Sequence, residues 1–452
     1  MAIADHADLK QLGGFSGNDI PDPDLLKACV HCGMCLSSCP TYRLTGQEMS
    51  SPRGRLWMMS AVAENRMDLL DPAFTEQMYQ CLNCRACEAV CPSGVQYGPL
   101  VEASRAQIEQ HRTRPLHQRV LRKATLGWLF SDASHFRMFT GLTRLYQRSG
   151  FSVLARRTGI LRLLGLQDAE AMLPPITSRP LLPGEESWSP KSVQQRAVLF
   201  NGCIMGTVFA DVNRAAGRVM AHNGVAVQVP VDQQCCGALQ VHSGMMDEAR
   251  GLARRNIEAF EASGEQVIVV TAAGCGAALK EYGHLLHADP EYADRAREFS
   301  GRVKDVNEFL GAQPIVEPPI AVNRTVTYQE PCHLAHAQRV AIEPRALLKS
   351  IKGVEVVEMK ESSLCCGSAG IYNILRKDFA DKLGDRKAKN TAATGAAAVV
   401  TANPGCYLQL RSTLKRNDSN MDVQYIVEIL DEAYGGADVS EWAIDRPTRR
   451  ST

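Results

Sequence analysis

Short apolar runs alternate with helical segments through the second half of the chain. Runs such as Val267-Ile-Val-Val and Ala398-Val-Val-Thr are rich in β-branched residues, and residues 249–262 and 379–391 have helical periodicity. This alternation is typical of a parallel α/β sheet. We therefore predict two α/β domains, over residues 197–310 and 320–440.

These two segments form an internal repeat of cysteine positions. In each repeat one strand ends at a single cysteine, a second leads to a Cys-Cys-Gly sequence, and a third leads to another single cysteine. The pairs of equivalent cysteines are Cys203 and Cys332, Cys235 and Cys365, Cys236 and Cys366, and Cys275 and Cys406. Ligands collect at the carboxyl ends of the strands in such sheets. The four cysteines of each repeat are therefore predicted to converge, in one pseudo-symmetric unit.

The first 172 residues have a different pattern. Asp22-Pro23, Ser51-Pro52 and Asp71-Pro72 each place a capping side chain before a proline, which signals the start of a helix. No strand pattern separates these helices, so an all-helical domain is predicted. Residues 173–196 contain five prolines and predict an extended linker. The expected fold is α+β multidomain, with the helical domain before the two α/β domains.

Length, charge and hydropathy exclude several classes of protein. The chain has 452 residues, enough for about three domains, and a net charge of +1 gives no sign of nucleic-acid binding. The start, Met1-Ala-Ile-Ala-Asp-His-Ala-Asp, lacks the pattern of a secretory signal, and no apolar run approaches the roughly 20 residues that cross a bilayer. We expect a cytoplasmic protein. In a reducing compartment its sixteen cysteines favour metal binding over disulfides.

Two cysteine runs in the first block carry the most specific signal. Cys29-x2-Cys32-x2-Cys35-x3-Cys39-Pro is repeated as Cys81-x2-Cys84-x2-Cys87-x3-Cys91-Pro. This is the bacterial ferredoxin run, in which three close cysteines bind one [4Fe-4S] cube and the fourth binds the other. The predicted ligand sets are Cys29, Cys32, Cys35 and Cys91, and Cys81, Cys84, Cys87 and Cys39. Zinc also accepts four thiolates, but zinc motifs rarely carry this tight triple followed by proline.

The repeat cysteines and two histidines are weaker candidates. A third [4Fe-4S] cluster or a zinc ion is predicted at one or both Cys-Cys-Gly edges; the alternative is that one repeat is a degenerate copy with free or zinc-bound thiols. His333 and His336 follow Cys332 and have no counterpart in the first repeat. They are candidate proton donors at a quinone, although such histidines often only satisfy a local hydrogen bond.

Residues between Arg105 and Arg162 form a basic, amphipathic segment. Many arginines alternate there with apolar side chains such as Trp128 and Leu142, against the acids Glu109 and Asp132. Such segments lie on anionic membranes, dock on a partner, or cover an ordinary core contact with a solvated basic face. A P-loop and a complete dinucleotide fingerprint are both missing from the sequence, so we expect no flavin or NAD bound by this chain and substrate oxidation in another subunit.

Over nearly its whole length the sequence resembles the iron-sulfur subunits of glycolate oxidase. The matching segments are Ala28-Cys-Val-His-Cys-Gly-Met-Cys, Cys39-Pro-Thr-Tyr, Ser51-Pro-Arg-Gly-Arg, Gly274-Cys-Gly, Lys280-Glu-Tyr-Gly and Leu364-Cys-Cys-Gly-Ser-Ala-Gly. Related families are the iron-sulfur subunits that serve lactate and glycerol 3-phosphate oxidation, and heterodisulfide reductase subunits. The fullest Cys-Cys-Gly domains end in Cys-x-x-Cys, whereas Ala278 and Gln409 hold that last position here, which argues against a five-cysteine, non-cubane cluster.

The resemblance implies a role in electron transfer. It implies a complex in which FAD-containing subunits oxidise glycolate to glyoxylate and this chain passes the electrons to a quinone, at the inner face of the cytoplasmic membrane. The alternatives are the same role with D-lactate or glycerol 3-phosphate, and a catalytic module that reduces disulfides itself.

Overall fold

The first part of the chain is a small helical domain. The computed structural model describes residues 10–436, except 168, 169, 171, 172, 174, 175 and 177, so the N-terminal segment, residues 437–440 of the second α/β segment and part of the predicted linker lie outside the described residues. The helices of this domain are Pro23–Lys27, Pro40–Thr45, Pro52–Ala63, Pro72–Gln80, Ala86–Ala89 and Tyr97–His111, with a 3-10 turn at Glu48–Ser50.

The capping signals act as the sequence predicts. The side chain of Asp22 accepts hydrogen bonds from the backbone N–H groups of Asp24 and Leu25, and Ser51 and Asp71 cap the Pro52–Ala63 and Pro72–Gln80 helices in the same way. Each cap satisfies N–H groups that have no partner inside the helix. The caps therefore fix where these helices begin, and two of the helices, Pro23–Lys27 and Pro72–Gln80, end next to a cysteine run.

The expectation of an all-helical first block is wrong at its N-terminal end. Strands β1 (Gln11–Leu12) and β2 (Phe15–Ser16) pair antiparallel there. Gly13 has a φ of +56°, which the two-residue turn between them requires, and Phe15 is fully buried in the helical core. A Gly-Gly pair next to a buried aromatic residue was the signal for this hairpin.

A series of helices, called here the linker helices, connects this domain to the first sheet. It comprises Leu116–Arg122, a π-helical turn at Lys123–Leu129, Ala133–Arg148, Phe151–Arg157 and Ile160–Leu163. Phe136 is buried in the core of the first α/β domain, and Leu129 and Phe130 pack against the same core. No helix within the described ranges has both the length and the hydropathy needed to span a bilayer.

The first α/β domain contains a five-stranded sheet. Its strands are β3 (Ser187–Trp188), β4 (Gln195–Phe200), β5 (Val225–Gln228), β6 (Ile268–Val270) and β7 (Val303–Asp305), in the order β3-β5-β4-β6-β7. All neighbours are parallel except β3, which pairs antiparallel with β5. The helices are Ala210–His222, Ala238–His242, Met246–Glu261, Ala273–Lys280, Tyr282–Leu285, Ala293–Arg302 and Val306–Gly311.

Strand β3 makes part of the predicted extended linker a member of the first sheet. It lies inside residues 173–196, where Trp188 stands opposite Val227 in the sheet and is buried. Trp188 packs on the Ala210–His222 helix at Gly217, where an added Cβ would lie 2.3 Å from the indole ring. Burial of this large apolar ring holds the short strand at the edge of the sheet.

The second α/β domain has the same strand order as the parallel part of the first. Its strands are β8 (Arg324–Tyr328), β9 (Val354–Val356), β10 (Ala398–Thr401) and β11 (Asp422–Tyr425), in the order β9-β8-β10-β11, all parallel. Its helices are Glu343–Lys349, Tyr372–Leu375, Lys377–Ala392, Pro404–Arg416 and Ile426–Ala433, with a π-helical turn at His333–Ala337. In both sheets the order of the strands reverses after the first parallel strand, which creates a ligand-binding crevice at the carboxyl ends.

The two α/β domains share one hydrophobic core. Side chains of β5 and the Ala210–His222 helix pack in one cluster with those of β8, β10 and the Ile426–Ala433 helix. Arg218 forms an ion pair with the buried carboxylate of Asp431 across this interface, at 2.6 Å. The shared core fixes the two cysteine edges relative to one another.

Candidate iron-sulfur centres

The two ferredoxin loops have the same unusual backbone conformation. In each, the residues immediately before and after the second cysteine have positive φ: His31 (54°) and Gly33 (84°) around Cys32, and Asn83 (50°) and Arg85 (59°) around Cys84. Left-handed residues that alternate with ordinary ones in a loop direct successive backbone N–H groups into a concavity that binds anions, including iron-sulfur clusters. The loops are therefore shaped for a negatively charged group.

The thiols of Cys81, Cys84 and Cys87 are buried together with that of Cys39. Burial raises the pKa of Cys87 well above its usual value, and the charges of Cys84, Cys81 and Cys39 raise it further. Burial does the same for Cys84, followed by the charge of Cys332. The cysteine that ends the first run thus lies beside the triple of the second run, 42 residues or more away along the chain.

Hydrogen-bond donors surround this buried set. The backbone N–H of Asn83 lies 3.3 Å from Cys81 Sγ, and the Tyr97 hydroxyl donates to the same sulfur at 3.7 Å. Thr41 Oγ1 lies 3.3 Å from Cys39 Sγ. Such contacts stabilise thiolate ligands and adjust the reduction potential of a cluster.

A buried arginine supplies positive charge at the same place. Arg55 is 0% exposed, and its hydrogen bonds go to neutral acceptors, including Gln77 O at 2.8 Å and Gln80 Oε1 at 3.1 Å. Burial lowers the pKa of Arg55, but Cys39 and Cys81 lie close enough for their charges to raise it. A buried guanidinium is costly without an anion nearby. Four thiolates that hold an iron-sulfur cube would provide that anion, so the residues present fit the group.

The other ferredoxin set lies at the surface. Cys32 is exposed and Cys29, Cys35 and Cys91 are half-buried. Burial and the charge of Cys29 raise the pKa of Cys35, although a backbone hydrogen bond from Arg53 opposes them. Val30 and Met34, in the same loop, are 68% and 57% exposed. This set therefore combines thiols with an apolar surface open to contact.

In each α/β repeat the four thiols form a chain of sulfur hydrogen bonds in the same order. In the first repeat the contacts run from Cys203 to Cys235 at 3.7 Å, on to Cys236 and then to Cys275; in the second they run through Cys332, Cys365, Cys366 and Cys406. Hydrogen bonds from two neighbouring thiols lower the pKa of Cys235 and of Cys366 well below the usual value. All eight cysteines follow carboxyl ends of strands, as the repeat predicts.

The two repeat edges differ in charge. In the second repeat Lys387 is only 1% exposed, and its ammonium group donates to Ser362 O at 3.1 Å. Burial lowers the pKa of Lys387, while the nearby Cys366, Cys365 and Cys406 raise it. At the first edge, neutral Asn256 and Tyr282 donate to the carbonyls of Cys235 and Cys236, each at 3.0 Å. The second edge is thus better prepared for an anionic cluster.

Both candidate histidines donate to backbone carbonyls. His333 Nε2 lies 2.9 Å from Asn83 O, in the loop of the buried cysteine set, and His336 Nε2 lies 3.1 Å from Ser363 O. Burial, reinforced by His242, lowers the pKa of His333 to about 4, and burial also lowers that of His336. At neutral pH both rings are therefore uncharged, with one N–H fixed in place.

Within the described part of the chain, no group of three or more His, Cys, Asp or Glu side chains is placed to hold a single metal ion. A four-iron cube does not require such a grouping, because each of its thiolates binds a different iron.

Sequence reasoning missed the charged residues next to the thiols. Arg55 and Lys387 carry no motif of their own, although Arg55 ends the Ser51-Pro-Arg-Gly-Arg segment, which also marks the family resemblance. The available signal was a basic side chain for which the sequence itself shows no role. Burial beside cysteines could be read only from the fold.

Comparison with known families matches the order of these parts. A 4Fe-4S dicluster domain matches residues 25–95, and a cysteine-rich domain matches residues 197–280 and 326–411. The linker region of the glycolate oxidase iron-sulfur subunit matches residues 117–173. The dicluster domain establishes [4Fe-4S] clusters as the cofactors of the helical domain.

Similar proteins cover almost the whole chain. A probable glycolate oxidase iron-sulfur subunit of Bacillus subtilis is 40% identical over 95% of this chain and 98% of its own length. The glycolate oxidase iron-sulfur subunit of Escherichia coli is 33% identical over 90% of this chain and 94% of its own. One of the subunits of a fumarate reductase (CoM/CoB) from Methanothermobacter marburgensis is 30% identical over 92% and 74%. The chain therefore belongs to the family of glycolate oxidase iron-sulfur subunits.

Proposed function

We propose that this chain conducts electrons from an FAD-containing partner subunit, which oxidises glycolate to glyoxylate, to a quinone. The observation that carries the proposal is the arrangement of the two ferredoxin loops, one at the surface and one buried against the second repeat. Bound [4Fe-4S] cubes supply one-electron redox chemistry at these thiols. Glycolate is favoured over D-lactate and glycerol 3-phosphate by the names of two similar full-length relatives.

Electrons arrive at the exposed ferredoxin loop. Cys32 is accessible there, and Val30 and Met34 present apolar side chains around it. Apolar side chains around a redox centre suit a protein partner, because burying them stabilises a complex. We assign this loop as the contact with the flavin subunit.

The second repeat continues the path with a third cluster. Cys332 lies close enough to Cys84, in the buried ferredoxin set, for its charge to add to the effect of burial and raise the pKa of the Cys84 thiol. Leu82 and Cys84 also pack in one cluster with Cys365. Lys387 provides a buried cation at that edge. His333 and His336 remain predicted proton donors near it.

The linker helices attach the complex to a membrane. The Ala133–Arg148 helix buries Phe136 and Thr140, and it exposes Met138, Phe139, Leu142 and Leu145 on another face. Exposed apolar side chains continue along the next helices at Phe151, Leu154 and Leu163. An apolar face flanked by arginines is typical of a helix that lies in the interface of an anionic bilayer. We assign this face to the inner surface of the cytoplasmic membrane.

Purification of the intact complex from cells tests the proposed function. A tagged chain should co-purify with an FAD-containing subunit whose flavin is reduced by glycolate, and the complex should reduce a short-chain ubiquinone. Cys35→Ser should abolish quinone reduction and leave flavin reduction by glycolate intact, because only the conducting path is cut. Ser37→Ala, at an exposed position of the same loop, is the control. Quinone reduction retained in Cys35→Ser, or disulfide reduction by the chain without a flavin subunit, would contradict the proposal.

A further inference from the structure

A large open cavity lies where the helical domain meets the two repeats. Its volume is about 1240 Å³. The wall contains Asn83 from the buried ferredoxin loop, Cys236 from the first repeat, and His333, which follows Cys332 of the second repeat. Cys236 itself and the sequence neighbours of Cys84 and Cys332 therefore border one cavity, so a molecule bound there lies near three of the cysteine sets.

A hydrogen-bonded network of proton-carrying groups lines the inner wall. Glu102 Oε1 accepts from Asn83 Nδ2 at 2.6 Å and lies 3.0 Å from His242 Nδ1. The rings of His242 and His333 are 5.4 Å apart. None of these groups has a role in the path of electrons between the cysteine sets. The network requires a different explanation.

A second carboxylate lies on the same wall. Glu281 pairs with Arg85. Burial raises the pKa of Glu281, the charge of Arg85 lowers it and that of Glu102 raises it again, so that the pKa is about 7. Burial raises the pKa of Glu102, but the hydrogen bond and the charge of His242 outweigh this effect. The pKa of Glu102 therefore lies below its usual value. Proton carriers of unlike pKa in one cavity are typical of acid-base chemistry.

The charges around the cavity favour a neutral ligand. Every arginine of the lining pairs with a carboxylate: Arg85 with Glu281, Arg250 with Asp19, Arg254 with Asp289 and Arg297 with Asp294. These cations are thus already compensated, which disfavours an organic acid or a phosphate ester as ligand. Apolar side chains, including Ile20, Leu25, Val241 and Leu285, form much of the remaining wall.

One segment of the cavity wall contacts the linker helices. Arg122 donates to Ser243 O at 2.9 Å, and Gln240 Nε2 donates to Leu126 O at 2.8 Å. Val241 and His242, which line the cavity, lie between these two contacts in the sequence. The helices assigned to the lipid surface are therefore attached to the wall segment that contains Val241 and His242.

We propose that this cavity binds the headgroup of a quinone and that Glu102, His242 and Glu281 deliver the two protons of its reduction. The inference rests on the proposed function, which supplies two electrons from each glycolate oxidised in the partner subunit. Each quinone carbonyl oxygen gains one proton and becomes a hydroxyl group as the ring gains the two electrons. The carriers regain their protons from water at the cavity mouth, where His284 and His287 stand.

Two variants of the intact complex separate proton delivery from binding. Glu102→Gln should lower the rate of ubiquinone reduction about a hundredfold, the typical share of general acid catalysis. Reduction of ferricyanide, which takes one electron and no proton, should be unchanged. Ala103→Phe, which fills part of the cavity, should raise the KM for ubiquinone about tenfold.

A photoreactive azido-ubiquinone supplies a readout that does not depend on turnover. It should label peptides that line the cavity in the wild-type complex, and Ala103→Phe should reduce that labelling. Glu64→Gln and Ala392→Phe change an exposed carboxylate and an exposed alanine elsewhere and should behave as wild type. Iron content should be equal in all variants. If Glu102→Gln loses iron, the KM of Ala103→Phe and the labelling experiment still test whether the quinone binds in the cavity.

The outcomes distinguish the cavity from the function on which it rests. Wild-type quinone reduction with labelling only outside the cavity, or with wild-type rates in both variants, would overturn the cavity site and leave the proposed function standing. A glycolate-reduced complex that reduces ferricyanide but neither reduces nor binds ubiquinone would overturn the proposed acceptor and the cavity site together.

Discussion

At the scale of single residues, the chemistry of the buried ferredoxin set depends on Arg55. The guanidinium lies in the helical core beside Cys39 and Cys81 and is held by several hydrogen bonds to the surrounding backbone and amide side chains. A positive charge near a cluster favours the more negative, reduced state. We therefore expect Arg55 to raise the reduction potential of the cluster at these thiols.

Replacing Arg55 by Gln should lower that potential. A unit charge within about 6 Å, at an effective dielectric constant of about 20, changes the potential by on the order of 100 mV. A redox titration followed by electron paramagnetic resonance measures the change. Arg55→Lys keeps the charge with fewer hydrogen bonds and should restore most of the potential. A fully iron-loaded Arg55→Gln protein with unchanged potentials for both clusters would contradict this role.

At the scale of elements, the linker helices bury few apolar side chains against the first repeat and leave many others exposed. Phe136 anchors the Ala133–Arg148 helix in the core, while Leu142 and Leu145 are 61% and 64% exposed. A water-soluble surface rarely leaves such side chains in one continuous patch unless they bind another surface. The family match over residues 117–173 shows that this segment is a recurrent part of such subunits.

Leu142→Glu combined with Leu145→Glu should weaken binding to vesicles that contain anionic lipid. Burial of each leucine in the interface stabilises binding by about 2 kcal/mol, so loss of both, about 4 kcal/mol, should lower the partition coefficient by several hundredfold. Vesicle co-sedimentation measures this effect, and added salt should weaken wild-type binding. Ile374→Glu with Leu375→Glu, two exposed apolar positions in the second repeat, is the matched control. Equal loss in both double variants would assign the effect to net charge.

At the scale of the whole molecule, the two repeats share a core and a strand order but differ at their cysteine edges. Lys387 compensates thiolate charge in the second repeat, whereas Asn256 and Tyr282 occupy the neighbourhood of Cys235 and Cys236 in the first. Burying several thiolates without a cation is costly. We therefore expect unequal cluster occupancy in two domains of the same fold.

Protein purified without oxygen should contain about twelve irons per chain, four for each of three cubes. Cys365→Ser should lower the content to about eight, and Cys235→Ser should leave it unchanged. Iron and zinc analysis by mass spectrometry measures both metals on the same sample. About eight irons in the wild type, or zinc at the second edge, would limit the clusters to the helical domain.

The sequence by itself determined the parts of this protein that local spacing encodes. The two ferredoxin runs, the Cys-Cys-Gly repeats at strand ends and the proline-capped helices were all predictable, because ligand spacing and capping depend on residues a few positions apart. The β1–β2 hairpin and β3 escaped prediction, since strands of two residues show no periodicity. Burial of Phe15 and Trp188 holds each of them in place.

Only the tertiary structure decided which distant residues meet. Arg55 and Lys387 lie buried beside thiols, and Glu102, His242 and Glu281 reach one cavity from three separate parts of the chain. The cavity depends on how the helical domain packs against the repeats, whereas the contacts of Arg55 and of Lys387 depend on packing within their own domains. A side chain's charge and hydrogen-bonding capacity are visible in the sequence, but its burial and its neighbours are set by packing across long separations in the chain.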